Sequence, residues 1–456
     1  MIGTLAKREN VEQKKGHKLF IALMCLFVAM IFVRNAFKIN FPVVVFLGLA
    51  AVIAVISDRE ELISLIVSFI PLSVGFQYKY AILLCIAVYF MKFAKSIKRP
   101  KYAFAIVALF VWELLHTFTG VFSPVEALRG FSELIFFAII LMADDFDFSD
   151  GLPMRTLAYC SVAAIIIVMI ISFSRLGYNF KEFLESGIRF GTADKGIVQF
   201  GFNFNQNNMG FMCNLSLSGL LILVRDKKAK LLDYLVIGFL VFTGFLTMSR
   251  AFIICFIGIV LAYAFMQRGS LKKKVAGFIA TIAFFVVIIL LVNAIAPTVV
   301  ENVGERFEEE DITSGRDQLF EFYNKHIFSN GRYLLFGVGL QNYGDKVNEI
   351  YRTNMSVCHN GYQEIVVAWG IIGFLLVAYL VYMVFDRTRH IHKWKISLKW
   401  LPLGTLLVYI LSSQFISQGF HLMCFIFAAV CMWYTTEKGV SEGEKNEKSN
   451  SDNHNT

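Results

Sequence analysis

The chain is poor in charge. Of its 456 residues, 17% are Asp, Glu, Lys or Arg, where an average soluble domain has about 25%. It has no Cys/His spacing of the zinc-binding type. Its cysteines form no disulfide framework either. Cys25, Cys85, Cys160, Cys213, Cys255, Cys424 and Cys431 fall within apolar segments, and only Cys358 lies outside one. A lone cysteine has no partner, so Cys358 reads as a small packing residue. No cleavable signal peptide is expected either. The polar, basic start "MIGTLAKRENVEQKKGHK" runs straight into a full-length apolar segment, so the first span is expected to remain as an anchor.

Apolar residues fill the space that charge leaves. They make up 57% of the chain, the mean hydropathy is +0.62, and the charges are bunched between long apolar runs. That pattern excludes an ordinary soluble domain and predicts an all-α polytopic membrane protein. The formal net charge of +9 then reports basic loops on a cytoplasmic face, not nucleic-acid binding.

A helix needs ~20 apolar residues to cross the hydrocarbon. The sequence offers about fourteen candidate spans by that criterion: 18–34, 40–57, 61–76, 79–94, 102–119, 125–143, 155–174, 205–224, 231–248, 251–267, 275–296, 360–385, 401–417 and 419–435. The pair 61–76 and 79–94 is short, and Pro71 interrupts its first member. Basic clusters occupy alternate loops: the N-terminal tail, "KFAKSIKRPK", "RDKKAK", "RGSLKKK" and "DRTRHIHKWK". They fall on one side, which is assigned to the cytoplasm together with both termini. The expected organisation is a cytoplasmic tail 1–17, one transmembrane helical domain 18–435, and a polar tail 436–456. The last lacks large apolar groups and reads as disordered.

Two long segments, 175–204 and 297–358, then face outward. The second is too long for a simple connector, and such loops usually carry function. Within it, "SGRDQLFEFYNKHIF" has a start signal at Ser314 and apolar Leu319, Phe320, Tyr323 and Ile327 at helical spacing. That predicts an amphipathic helix. "LLFGVGLQNYG" supplies a glycine-rich turn before the chain reaches His359 and Asn360.

Four outward polar groups stand out: Arg189, Arg250, Arg316 and His359. Arg250 lies in "LTMSRAFII", between two apolar spans. It reads as a functional charge near hydrocarbon or as an arginine snorkelling from a helix end. Arg316 sits in the first turn of the predicted loop helix, where a cation opposes the helix dipole. Its partner is an external anion or one of Glu308, Glu309, Glu310 and Asp311. Arg189 reads equally as an exposed loop residue. Arginines facing one cavity suit a phosphate or diphosphate, because their planar forks bind such oxygens twice. A nearby imidazole can take up a proton at neutral pH. Together these make a group-transfer site, whereas His359 taken alone reads as a helix-mouth cap. His326 and His421 read as structural. The run "FNFNQNNMG" places Asn203, Asn205, Asn207 and Asn208 at the start of a span. There they can cap the helix or hydrogen-bond sugar hydroxyls. Arg129 and Glu133, four apart, read as a structural ion pair. "WGIIG" (369–373), inside the candidate span 360–385, reads as a close helix-packing element.

Five of these stretches together resemble the O-antigen ligase and polymerase family. "MSRA" (248–251) is similar to its Ser-Arg turn, and "SGRDQLFEFY" (314–323) to its loop arginine and aromatic helix. "LLFGVGLQNY" (334–343) is similar to its Phe-Gly-x-Gly turn. "HNGYQEIVVAWGIIG" (359–373) is similar to its His-Asn opening of a span, and "FNFNQNNMG" (202–210) to its asparagine-bearing helix start. The likeness covers roughly 185–385. Ala251 stands where many members have glycine, and Phe320 near where tryptophan is frequent.

The resemblance implies a GT-C-like membrane glycosyltransferase with one large outer loop of short helices. Its donor would be an undecaprenyl-diphosphate-linked glycan, with no metal and no cofactor. Arg250 and Arg316, with Arg189, would hold the diphosphate, and His359 would act as base on the acceptor hydroxyl. Asn203, Asn205 and Asn207 are candidate glycan contacts. Implied partners are the lipid bilayer, a flippase and chain-length regulator proteins, with the site on the outer face of the plasma membrane. The expected activity is a polysaccharide polymerase making capsule, O-antigen or exopolysaccharide. A ligase transferring glycan to lipid A core or protein would share the site. A flippase without chemistry is the other class. Transporters collect polar groups near the bilayer midplane and show internal repeats; here the polar groups gather at the outer face.

Overall fold

The computed structural model describes residues 2–37, 39–72, 78–117, 131–144, 146–177, 179–186, 188–191, 205–266, 271–308, 316–340, 343–355, 357–391, 398–415 and 419–434. Among them the regular structure is helical, apart from one isolated antiparallel bridge between Ile97 and Ala143. The first half holds α1 (Ile2–Ala36), α2 (Val43–Ile56), α3 (Arg59–Leu72), α4 (Tyr78–Phe93), α5 (Phe104–Thr117), α6 (Ser132–Met142) and α7 (Leu152–Leu176). A short α8 (Phe180–Glu185) precedes α9 (Gln206–Arg225), α10 (Leu231–Leu246), α11 (Arg250–Phe265) and α12 (Leu271–Ile295). The long loop contains α13 (Pro297–Glu308), α14 (Arg316–Ser329), α15 (Gly331–Phe336) and α16 (Tyr343–Tyr351). Then come α17 (Gly361–Ile391), α18 (Leu401–Tyr409) and α19 (Gly419–Trp433).

A helix falls in each apolar segment, and among the described residues four helices are long and apolar enough to cross a membrane by length and composition. These are Gly16–Ala36, Leu152–Ser174, Gln206–Arg225 and Gly361–Thr388. Val43–Ile56, Ser132–Met142, Leu231–Leu246, Arg250–Phe265, Leu398–Ser412 and His421–Trp433 are shorter. A 14-residue helix rises only ~21 Å, against a hydrocarbon thickness of ~30 Å. Length and composition single out four crossings among the described residues, and further apolar helices occupy the other expected spans. Hydropathy scores lipid-facing and protein-buried helices alike. In α3 every residue from Glu61 to Leu72 is buried, with α7, α4 and α19 packed around it. Pro71 falls in its last turn. A helix apolar all round is one enclosed by other helices.

Two hydrophobic clusters matter for the site. The large one runs through the bundle. A smaller one joins Tyr323 and Ile327 of α14, Tyr343 and Val347 of α16, Cys358, and Val367 of α17. Cys358 is fully buried there as a free thiol, and burial pushes its pKa up. That cluster fastens the loop helices to the start of α17, next to His359. Glu133 is buried and accepts from the Tyr78 hydroxyl at 3.1 Å, with Lys79 Nζ at 3.7 Å. Its expected partner Arg129 lies outside the described residues.

Candidate functional site

Asn360 opens α17. Its Oδ1 accepts from the backbone N–H groups of Tyr362 at 3.0 Å and Gln363 at 3.1 Å. These are first-turn donors with no partner inside the helix. His359 is therefore held one residue before a capped helix, half-buried. Burial lowers its pKa first, and the Arg316 charge lowers it further. Both causes favour the neutral imidazole, the form that can accept a proton.

Across from it, α14 begins at Arg316. Arg316 and His359 line one cavity of about 380 Å³, with Asp317, Phe320, Asn360, Gln363, Leu411 and Ser412. Such a volume lies within the ~300–1,000 Å³ range of small-molecule sites. Gly361 brings α17 close to the segment behind this wall: a Cβ there would lie 2.7 Å from Phe415 Cβ. The buried Glu364 accepts from the Phe415 backbone N–H at 2.6 Å. Ser314 and residues 309–311, which bear on the start of α14 and on salt-bridge partners for Arg316, lie outside the described residues.

The glycine-rich turn and α17 meet in a way the sequence conceals. α17 is broken at Gly370, where φ is 68°. A break frees helix carbonyls, and here three of them are taken by specific donors. Val338 N–H donates to Val367 O at 3.0 Å, Gly339 N–H to Ala368 O at 2.7 Å, and Trp112 Nε1–H to Trp369 O at 3.0 Å. Gly370 is thus a break point rather than part of an uninterrupted packing motif. The backbones approach so closely that a Cβ on Gly337 would lie 2.4 Å from Ala368 O, and one on Gly370 2.2 Å from Leu335 O. Glu113 of α5 completes the junction by accepting from Leu340 N–H and Trp369 Nε1–H. Sequence reasoning missed Glu113, although a carboxylate inside an apolar run is itself a signal.

A second polar group gathers at the "MSRA" turn between α10 and α11. Ser249 caps α11 by accepting from Phe252 N–H, and Arg250 is the first helical residue. Arg189 Nε donates to Thr247 O at 3.1 Å, and its Nη2 to Asn207 Oδ1 at 3.2 Å. The same Asn207 oxygen accepts from Ser249 Oγ at 2.9 Å. Arg189 and Arg250 are thereby brought to one turn, and neither lines the Arg316–His359 cavity. Asn205 caps α9 by accepting from Asn207 N–H at 2.8 Å. Asn203 lies outside the described residues. The two polar groups are linked through α18. Tyr409 donates its hydroxyl to Asn208 Oδ1 at 2.7 Å, and Leu411 and Ser412 just beyond it line the cavity. Arg316 lies within electrostatic reach of both Tyr409 and His359.

The competing histidines are enclosed. His326 stacks on Tyr333 and is 1% exposed. His421 is fully buried against Phe211 and Tyr409. Among the described residues no three His, Cys, Asp or Glu side chains form a group that could hold a metal ion.

Residues 235–378 match the family model described as O-antigen ligase. Over that stretch the chain is similar to the O-antigen ligase family. That region runs from α10 into α17 and contains Arg250, Arg316, the glycine-rich turn and His359. Arg189 and Asn207 precede it, yet they are bonded onto its Ser249 turn. No curated protein matches the chain. The O-antigen ligase region sits in an all-helical membrane protein and supports a glycosyltransferase-type activity.

Proposed function

We propose that the protein is a polysaccharide polymerase, joining undecaprenyl-diphosphate-linked repeat units on the outer face of the plasma membrane. On this reading the chain crosses the membrane about fourteen times, with shorter apolar helices completing some crossings, and both termini are cytoplasmic. The observation that carries it is the shared cavity of Arg316 and His359 inside the O-antigen ligase region. Arg316 would face the donor diphosphate, with Arg250 and Arg189 contributing from the Ser249 turn. The acceptor hydroxyl attacks the anomeric carbon of the donor sugar while His359 takes its proton. The bond to the diphosphate breaks, and the carrier lipid leaves with its charge on the arginines. The step needs no metal or cofactor in this scheme. The amides of Asn203 and Asn207 would meet sugar hydroxyls, with Asn205 kept as the helix cap, and a flippase would deliver the donor.

A ligase reading uses the same residues with a different acceptor, and the description of the matched family favours keeping it. The lipid-linked glycan profile of a strain lacking the protein separates the two. A polymerase defect leaves single repeats. A ligase defect leaves long chains on the carrier lipid, and that outcome would replace the polymerase reading. An unchanged glycan profile would overturn both.

A further inference from the structure

Gln363 joins the helix bearing Arg316 to the helix that opens behind His359. Its Nε2 donates to Phe320 O at 2.7 Å and to Asn324 Oδ1 at 2.9 Å. The side chain is 6% exposed. Arg316, Phe320 and Asn324 are spaced by four and share one face of α14. The amide therefore grips the same face that presents the arginine. Two bonds from one nitrogen to points a turn apart fix both the height and the rotation of α14. Tyr323 and Ile327, on the same stripe of α14, pack into the small cluster. That packing is non-directional, so it holds the helix down without setting its register. Gln363 and Phe320 also line the cavity between the two chemical groups.

We propose that Gln363 is a positioning residue that sets the separation of Arg316 and His359 across the cavity. The proposal rests on the transferase reading above. In that reaction the arginine must meet the leaving diphosphate while the imidazole meets the attacking hydroxyl, so a shift of about 1 Å can cost on the order of 100-fold. No change in the chemical groups themselves is needed.

The test uses the full-length protein in lipid nanodiscs. Gln363→Glu keeps size but turns a carboxylate toward two acceptor oxygens. Gln363→Glu with Asn324→Lys restores a cross-helix bond of reversed polarity. Hydrogen exchange of residues 316–329 reads the clamp. The kcat and KM for a lipid-diphosphate-linked glycan donor read the chemistry. The single variant should exchange faster in 316–329 and lose about 10- to 100-fold in kcat, and the pair should recover most of both. Wild-type protection in Gln363→Glu overturns the clamp, whatever the activity. Faster exchange with unchanged kcat overturns the positioning role. Restored protection without restored kcat also overturns it, because Gln363 would then be touching substrate. Wild-type protein inactive on such donors would sink the transferase reading, while the exchange data would still decide the clamp. If Gln363→Glu does not insert, Asn324→Leu removes one acceptor and is read the same way.

Discussion

Trp369 donates its indole N–H to Glu113 Oε2 at 2.8 Å, and the backbone N–H of Leu340 donates to the same oxygen at 2.9 Å. Glu113 is 2% exposed. Through this one oxygen α5, the glycine-rich turn and the break in α17 become a single unit. The loop helices that carry Arg316 are thereby tied to the bundle at a second point, remote from the cavity.

Replacing Glu113 with Leu should destabilise the protein. It would leave two buried donors without an acceptor, at about 1–3 kcal/mol each. Glu113→Gln keeps an acceptor oxygen and should cost less. Thermal unfolding of the purified protein checks this, and equal midpoints for wild type and Glu113→Leu would show that the junction holds without the carboxylate.

Gly370→Ala and Gly337→Ala should each disrupt the junction. At both sites φ is positive and a Cβ would lie well inside contact distance of a carbonyl oxygen. The backbone strain alone is about 1–3 kcal/mol. Gly258→Ala in α11 is the control, with nothing within 4 Å of its Cβ. There the loss of unfolded-state freedom predicts no loss of stability. Comparable unfolding midpoints for all three variants would contradict the close approach.

His359→Ala should abolish polymer while the protein still inserts and binds donor lipid. Arg316→Lys should impair turnover, since a lysine lacks the two-pronged fork. The acid limb of kcat should lie below the ordinary histidine value of about 6.5. Burial and Arg316 both lower the His359 pKa, so the neutral base persists as the pH falls below that value. Activity is lost only when the pH drops through the depressed pKa. A limb at or above 6.5 would contradict His359 as the base.

Asn207→Leu should weaken donor binding, because it removes the oxygen shared by Arg189 and Ser249. Asn205→Ala removes only a helix cap and should cost about 0.5–2 kcal/mol of stability with the donor KM unchanged. Measuring KM and the unfolding midpoint for both variants separates the two roles. Equal KM values for Asn207→Leu and wild type would free Arg189 from the donor site.

The packing of α14 should loosen in acid. Burial lowers the His326 pKa to about 4, below its unfolded value of about 6.5. Between these values the unfolded chain binds a proton that the folded one excludes, so stability falls as the pH drops through that window. Protection factors for 316–351, taken relative to the intrinsic exchange rate at each pH, should fall from pH 7 to pH 5, and His326→Phe should remove that dependence. Equal acid sensitivity in the variant would assign the effect elsewhere.

Much of the site's raw material is legible in sequence. The turn before Arg250, the loop helix of Arg316, the cap at Asn360 and the position of His359 all follow from short-range signals. Gln363 and Glu113 were not legible as working residues. Their partners, Phe320, Asn324, Leu340 and Trp369, lie far along the chain, and no local period records them. Arg189 is a similar case: its neighbours in sequence do not indicate that Asn207 and Thr247 will receive it.

Sequence alone determined that this chain is helical, apolar and bound for a membrane. Those properties depend on composition and on periods of a few residues. It also placed an arginine and a histidine where one loop could bring them together. Only the tertiary structure decided that α17 breaks at Gly370, which donors take the freed carbonyls, and which helices are enclosed by other helices. Hydrophobic burial is non-directional and can be read from a segment by itself. A buried hydrogen bond is directional and needs its particular partner, so it exists only once distant segments have been brought together.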